Sequence, residues 1–277
     1  MQTIFTCPAV TLKPYRNAKS LLDPVTTILI LIGVGLGAGT LGSLLGVGGG
    51  IIMVPALTLL GLSPVQTAST SLIAVATTSV SSTIEYSRQK RIEYRLGLEM
   101  AIFAIPGAVF GAILSEYLSE GSFKLYFGII LIIAAIYILY KNSILSDTAA
   151  KKRSIVLRSA VFAATFGAGI ISSLFGVGGG IIFVPAMLLV LGLTMHRAAP
   201  TSQFTLMMTS MGGVLVHAYL LHPDYLQAFA LSAGAFAGAQ LGARVSRTAK
   251  ELLLKRLLGF ILITVAVKFI YDWFASR

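Results

Sequence analysis

Charged residues are scarce in this sequence: Asp, Glu, Lys and Arg make up 11% of its 277 residues, whereas apolar residues make up 56%. A soluble domain carries roughly 25% charged residues, so this chain has too few to cover a water-facing surface. Apolar runs of roughly 20 residues recur, the length that an α-helix needs to cross about 30 Å of hydrocarbon. Because lipid satisfies no backbone hydrogen bond and the runs do not alternate, the sequence predicts an all-α integral membrane protein.

Cysteine and centrally placed acidic residues are also lacking. Cys7 is the only cysteine, which excludes an internal disulfide framework and a multi-cysteine metal site. We recognise no nucleophile–base pair and no set of metal ligands, so the sequence predicts neither an enzyme nor a bound cofactor. No Asp or Glu lies centrally in an apolar run, which argues against a cation site or a carboxylate proton relay. By elimination, we expect the substrate of a transporter with this sequence to be an anion.

Positive charge is concentrated in short segments between the apolar runs. The net charge is +11, which in a soluble protein would suggest a nucleic-acid partner. Here the basic residues follow the pattern of loops that stay in the cytoplasm. We therefore expect lipid, and not nucleic acid, around this chain. The residues that carry the pattern are Arg88, Lys90, Arg91, Arg95, Lys141, Lys151, Lys152, Arg153, Arg244, Arg247, Lys250, Lys255 and Arg256.

Two stretches of the chain are nearly the same. Residues 37–55 read GAGTLGSLLGVGGGIIMVP and residues 167–185 read GAGIISSLFGVGGGIIFVP, with 14 of 19 positions identical at an offset of 130. After a one-residue insertion, Thr70-Ser71 matches Thr201-Ser202. A repeat of this kind indicates a duplicated unit. We divide the chain into a polar basic N-terminal segment without a cleavable signal peptide, two transmembrane repeats and a basic connector, at residues 1–24, 25–141, 142–155 and 156–277.

Each repeat reads as about five apolar segments, of which the second is too short to cross a membrane. At 1.5 Å per residue that segment spans only about 18 Å. Matched loops of the two repeats differ in their content of Lys and Arg. Loop 87–95 is basic and its counterpart 221–225 is not, whereas loop 245–251 is basic and its counterpart 119–122 is not. The simplest interpretation is a pair of inverted repeats in a multi-pass protein of the cell (inner) membrane, with both termini outside. The N-terminal segment is itself basic, with Lys13, Arg16 and Lys19, which argues against an N-terminus outside the cell.

The strongest local signal is the GVGGG run, at Gly46–Gly50 and again at Gly176–Gly180. Consecutive glycines weaken a helix, and a break near mid-membrane persists only where it is buried or lines a cavity. The N-terminus of the following helix carries a partial positive charge and binds anions without a basic side chain. The alternative is close helix packing that needs no side chain. A nucleotide-binding loop is disfavoured, since no Lys-Ser or Lys-Thr follows.

Small polar residues form the second signal, at Thr67–Ser71 and Thr201–Gln203. Their hydroxyl and amide groups are candidate donors to an oxyanion, although such groups also bond to helix carbonyls. His217 is more simply explained as a satisfied interior histidine than as a proton or ligand group. Glycines four residues apart predict helix-packing faces. They are Gly33, Gly35, Gly37, Gly39, Gly107, Gly111, Gly234, Gly238 and Gly242.

The paired GVGGG-(apolar)-VP segments, each followed about 15 residues on by a Thr-Ser step, resemble the TauE/SafE sulfite exporter family. The resemblance covers nearly all of residues 25–274 and rests on Gly46–Gly50 with Pro55 and Gly176–Gly180 with Pro185. It implies secondary transport, without ATP, of sulfite, a sulfonate or a related sulfur oxyanion. Ser69 stands where the second repeat has Pro200, so the two repeats need not contribute equally.

The resulting hypothesis is a secondary transporter that binds a small anion between its repeats at the glycine breaks. A passive anion channel and a membrane scaffold without transport are the alternatives. The anion itself, the direction of transport, the coupling ion and the oligomeric state, for which a homodimer is one option, stay open. The candidate binding residues are Gly48, Gly49, Gly50, Thr70, Ser71, Gly178, Gly179, Gly180, Thr201, Ser202 and Gln203.

Overall fold

The structure is a computed structural model that describes residues 23–140, 155–220 and 222–275. Nearly all of the N-terminal segment (1–24) and of the connector (142–155) lies outside these residues. The described parts are helical and contain no β-strand, as the sequence predicts.

The first repeat forms five helices, of which the second is short. They are α1 (Pro24–Leu45), α2 (Gly50–Leu59), α3 (Pro64–Arg88), α4 (Tyr94–Leu114) and α5 (Glu120–Tyr140), with a short 3-10 helix at Ser115–Tyr117. Local sequence sets several of these ends. Pro24 opens α1, and Gly46 ends it with a left-handed backbone that a side chain would strain. Ser63 and Gln66 form a capping box at the start of α3.

The second repeat follows the same order. Its helices are α6 (Ile155–Phe175), α7 (Gly180–Pro185), α8 (Met195–Tyr219), α9 (Tyr225–Val245) and α10 (Glu251–Ala275). A π-helical turn at Ala186–Val190 continues α7. The first residues of α7, α8, α9 and α10 follow those of α2, α3, α4 and α5 by 130 or 131 positions, the same offsets that relate the two sequences.

The two repeats are packed into each other and do not form separate bodies. The most extensive helix contacts all join one repeat to the other: α1 with α9, α4 with α6, α5 with α10, and α3 with α8 and α9. Glycines make several of these contacts close, because a methyl group at Gly35 would lie 2.1 Å from the Leu231 carbonyl oxygen and one at Gly107 would lie 2.2 Å from that of Phe166. The predicted packing role is wrong for Gly33 and Gly37, since a methyl group at either would meet no described atom within 4 Å.

The outer faces of the helices carry large apolar side chains. Leu215, Phe229 and Phe260 are each about two-thirds exposed or more, at 72%, 70% and 68%. A soluble monomer rarely exposes so much apolar surface, so lipid is the solvent that this surface fits. Within the described residues, two helical stretches are both long and apolar enough to cross a membrane, Pro24–Leu45 and Tyr94–Tyr117. The central helices α3 and α8 are less apolar because of their many Ser and Thr residues.

Loops that are distant in sequence meet at the ends of the bundle. At one end, Arg91 donates to the His196 carbonyl (3.0 Å) and to Ser246 Oγ (3.3 Å). Burial lowers the pKa of Arg91 below its usual value, an effect that the nearby Tyr86 opposes. At the other end, His222 Nε2 lies 3.1 Å from Glu116 Oε1. The basic loop 89–93 therefore shares one end with the segment after α9, and the loop before α9 lies at the opposite end.

Candidate functional site

The two glycine breaks contact each other. A methyl group at Gly50 would lie 2.4 Å from Val177 Cα, and one at Gly180 would lie 2.5 Å from the Gly46 carbonyl oxygen. Each break is thus packed against the backbone of the other, and residues 46–50 are all buried. The sequence predicted that the breaks would come together, and the contact has its cause in the lack of side chains.

The backbone of each break requires glycine for a second reason. Gly46, Gly48 and Gly49 have φ values of 78°, 85° and 85°, and Gly176 and Gly178 have 68° and 81°. Residues with a Cβ rarely adopt these values. Gly179 differs from Gly49, because its φ of −67° is ordinary for any residue. The two breaks are therefore similar but not identical.

A helix begins at each break without a capping side chain. Gly49 precedes α2 and Gly179 precedes α7, and neither start receives a side-chain hydrogen bond. The backbone N–H groups in the first turn of a helix have no partner within the helix, and they carry a partial positive charge. The first residues of α2 and α7, Gly50 and Gly180, are buried. The two breaks therefore bring two weakly positive helix starts into the protein interior.

Ser71 and Ser202 occupy equivalent positions and bond across the repeats. Ser71 Oγ donates to the Gly176 carbonyl (2.7 Å), and Ser202 Oγ donates to the Gly46 carbonyl (2.6 Å). Each hydroxyl thus satisfies the carbonyl that opens the break of the other repeat. In this conformation the two hydroxyl protons are used within the protein, so a role as donors to an anion requires them to leave these carbonyls.

Thr70 and Thr201 also form an equivalent pair, but they face the loops. Thr70 Oγ1 accepts from the Asp224 backbone N–H (3.1 Å) and Thr201 Oγ1 accepts from that of Glu93 (3.0 Å). Thr201 Oγ1 also donates to the Arg197 carbonyl in its own helix (2.7 Å). The pair therefore anchors the loops before α9 and α4, and the hydrogen bonds of both hydroxyls are directed there and not to the glycine breaks.

Gln203 has no equivalent in the first repeat, where Leu72 stands. Its Nε2 donates to the Gly42 carbonyl (2.8 Å), the same oxygen that accepts from the backbone N–H of Val47 and Gly48. Its Oε1 is buried and has no hydrogen-bond partner. Gln203 therefore holds the first break and keeps one free acceptor beside it.

Ser79 is a polar neighbour of the breaks that the sequence reasoning missed. Its hydroxyl is buried without a partner and would lie 3.9 Å from a methyl group at Gly48. Ser172, which stands where the first repeat has Gly42, is likewise buried without a partner. A buried hydroxyl without a partner is costly, and at a glycine break it is a group that a polar substrate can satisfy. The signal available was the Ser and Thr content of 78–83, which extends the predicted segment Thr67–Ser71 along the same helix.

Two apolar side chains close the centre. Val75 and Leu206, which are equivalent residues, both lie against Gly48 and Gly178: methyl groups at those glycines would be 2.9 and 3.0 Å from Val75 Cγ1. Leu206 lies almost as close, at 3.3 and 3.2 Å from the same two methyl positions. Val75 and Leu206 therefore cover Gly48 and Gly178 in this conformation, and they are the side chains that a substrate at these glycines would displace.

The interior around the breaks is polar but carries no fixed charge. Among the described residues, the fully buried polar side chains are Ser, Thr, Gln and His, and none is Asp, Glu, Lys or Arg. Within the same residues no group of three or more His, Cys, Asp or Glu side chains forms a potential metal site. Neutral donors and helix starts are thus the groups that can hold a substrate here.

Comparison with known proteins identifies a family of membrane proteins. Residues 31–269 match the family model described as "Sulfite exporter TauE/SafE". The probable membrane transporter protein YunE of Bacillus subtilis is 32% identical over 268 residues, 89% of this chain and 98% of that protein. The probable membrane transporter protein YfcA of Escherichia coli K12 is 24% identical, with 92% and 94% covered. No solved structure matches significantly. The chain therefore belongs to the TauE/SafE sulfite exporter family, a family of membrane transporters.

Proposed function

We propose that this protein is a secondary transporter that moves sulfite, a sulfonate or a related sulfur oxyanion across the cell (inner) membrane. It crosses the membrane several times as two inverted repeats, and the substrate binds between them at the glycine breaks. The observation that carries the proposal is the contact between the two breaks, which brings the uncapped starts of α2 and α7 together. The unpartnered Ser79 hydroxyl beside Gly48 is the second polar group at this point.

An oxyanion fits these groups better than a cation does. Backbone N–H groups donate hydrogen bonds and helix N-termini favour negative charge, whereas a cation would need carboxylates that the described interior lacks. A fixed Arg or Lys would hold an anion tightly. Neutral donors bind it weakly enough for release, which a transporter requires on each cycle. We take the sulfur oxyanion as substrate class from the description of the family, because the relatives are named only as probable membrane transporters.

Inverted repeats explain the helix contacts. If a two-fold axis in the membrane plane relates the halves, each contact between helices of different repeats has an equivalent. The contact of α1 with α9 then corresponds to that of α6 with α4, and the contact of α3 with α9 to that of α8 with α4; all four occur. The reciprocal bonds of Ser71 and Ser202 follow the same relation.

Cysteine labelling tests the topology. With Cys7 replaced by Ser, we expect Lys90→Cys and Thr248→Cys to react with an impermeant maleimide from the cytoplasmic side, because both exposed residues lie at the basic end of the bundle. Ser63→Cys and Ser119→Cys should react from the other side. Labelling of Lys90→Cys and Thr248→Cys from opposite faces would show that the two repeats are parallel and would overturn the inverted topology.

Transport is tested with the purified protein in liposomes. We expect saturable uptake of radiolabelled sulfite and counterflow against an excess of unlabelled sulfite inside, because a carrier exchanges bound substrate. Uptake without counterflow would indicate the passive channel. Sulfite should also raise the melting temperature of the detergent-purified protein, since a ligand at 100 times its Kd stabilises the folded state by about 2.7 kcal/mol. Stabilisation by a metal cation and by no anion would contradict the proposal.

A further inference from the structure

A chain of hydrogen bonds leads from the surface to the second glycine break. Glu116, an exposed residue of the 3-10 helix after α4, lies 3.1 Å from His222 Nε2. His222 Nδ1 lies 3.0 Å from Nδ1 of the fully buried His217. On the far side, His217 Nε2 lies 3.1 Å from the Ser173 carbonyl oxygen. Ser173 is three residues before Gly176, where the break begins.

The partners of each ring nitrogen indicate how many protons this chain of bonds needs. Ser173 offers His217 Nε2 its carbonyl at 3.1 Å and its hydroxyl at 3.4 Å. The closer carbonyl only accepts, so this bond needs a proton on Nε2 and, with His217 neutral, its Nδ1 accepts. His222 Nδ1 must then donate to it. His222 Nε2 faces a carboxyl group, and that bond also needs one proton. Two neutral imidazoles beside a carboxylate are one proton short of this total. The bonds therefore close only when the His217, His222 and Glu116 group holds one extra proton.

The first repeat supplies an internal comparison. At an offset of 131, Tyr86 corresponds to His217 and Arg91 to His222. The Tyr86 hydroxyl donates to the Ser43 carbonyl oxygen (2.8 Å), as His217 Nε2 does to that of Ser173. The Arg91 guanidinium lies over the Tyr86 ring. Tyrosine holds its proton and arginine its charge at neutral pH. The same structural bond is thus made without a group that exchanges protons, so packing alone does not require histidines here.

We propose that His217, His222 and Glu116 form a proton-binding relay that couples the second glycine break to the pH at one membrane face. This inference rests on the proposed transport function. A proton taken up at the Glu116 end reaches His217 when the N–H bond at His222 Nδ1 breaks and one forms at His217 Nδ1. His217 then bears the positive charge, next to the carbonyl of Ser173 and close to the break where an anion would bind.

The other titratable groups near the relay leave this assignment in place. On the loop before α9, Asp224 is engaged as the cap of α9, where its carboxylate accepts from Gln227 N–H. Tyr219 on α8 and Tyr117 beside Glu116 are exposed, at 87% and 79%. The described parts of α3, α4 and α6 that pack at this end, residues 64–72, 108–114 and 163–175, carry no Asp, Glu, His, Lys or Arg. The relay is therefore the set of titratable side chains that hydrogen bonds join to His217 at this end of the described bundle.

The proton count can be measured without substrate. The chain contains three histidines, so protein labelled with ¹⁵N at histidine gives a simple NMR spectrum. We expect three protons shared among the four ring nitrogens of His217 and His222 and the Glu116 carboxyl group, and a downfield proton signal from the hydrogen bond between the two rings that His222→Gln removes. Two protonated ring nitrogens together with an ionised Glu116 carboxylate would overturn the relay whether or not the protein transports sulfite.

Coupling is tested with His217→Tyr, which copies the first repeat and keeps a donor for the Ser173 carbonyl. We expect this variant to fold and to retain sulfite counterflow, but to lose the accumulation that a pH gradient drives in the wild type. For one coupled proton, a gradient of one pH unit corresponds to about a tenfold accumulation. Unchanged accumulation in His217→Tyr would show a structural role only and would overturn the coupling. His196→Gln, which removes the histidine at the opposite end of α8, is the control and should accumulate sulfite as the wild type does.

Discussion

Replacing Gly50 or Gly180 by Ala is expected to reduce transport to less than about a tenth of the wild-type rate. Neither residue has a positive φ, so alanine is compatible with the backbone and by propensity would stabilise a helix by about 0.5–1 kcal/mol. The new methyl group would, however, lie 2.4 Å from Val177 Cα at Gly50 and 2.5 Å from the Gly46 carbonyl at Gly180. Overpacking of this kind costs about 1–3 kcal/mol, and because it meets backbone it forces the two breaks apart.

Matched variants separate this effect from general loss of stability. At Gly33 and Gly37 a methyl group would meet no described atom within 4 Å, so Gly33→Ala and Gly37→Ala should transport as the wild type does and melt no lower than it. Uptake of radiolabelled sulfite and melting temperature should be measured on all four proteins. If Gly50→Ala and Gly180→Ala transport normally while remaining folded, the contact between the breaks is not the site.

The two breaks should also respond differently to the same change. Gly49 has a φ of 85°, and a methyl group there would lie 2.6 Å from the Ala38 carbonyl oxygen, whereas at Gly179 the nearest atoms belong to the Phe183 ring. A flexible side chain can move and a carbonyl cannot. A side chain at Gly179, as in Gly179→Val, therefore tests the proposed site with less damage to folding than Gly49→Val. A folded Gly179→Val protein with normal uptake would remove the anion site.

The double variant Ser71→Ala with Ser202→Ala is expected to lower the free energy of unfolding by about 2–6 kcal/mol. Interhelical hydrogen bonds in membranes contribute about 0.6 kcal/mol on average, but a buried acceptor left without a donor costs about 1–3 kcal/mol. The cost of an unsatisfied acceptor applies here, because the Gly46 and Gly176 carbonyls lose the side-chain donors that the two serines provide. The loss should be measured by chemical denaturation in detergent.

The same variant tests the serines as ligands. If the two hydroxyls leave their carbonyls to bind the anion, isothermal titration with sulfite should show an affinity weakened by a few kcal/mol at most. Unchanged affinity would remove both serines from the site and leave them with a structural role only. Thr264→Ala is the control for stability, since its exposed hydroxyl donates only to the Phe260 carbonyl within its own helix.

The sequence alone determined the class of protein and the positions of its helices. Low charge, long apolar runs and the duplicated GVGGG segment are properties of composition and order. Consecutive glycines weaken a helix locally, whereas Pro55, Pro106 and Pro200 stand alone and lie inside helices. For this reason the short second segment of each repeat was predicted, and α2 and α7 begin at the glycine before the apolar residues, at Gly50 and Gly180.

Only the tertiary structure decided what the polar groups do. Whether Ser71 donates to its own helix or to Gly176 depends on a contact between residues 105 positions apart, which no local pattern encodes. The same holds for His217: its neighbours His222 and Glu116 meet it because α8, the next loop and the end of α4 pack together. In the sequence His217 was more simply explained as a satisfied interior histidine. The packing connects it to the surface, because its hydrogen bonds depend on which side chains are close in space and not on which are close in sequence.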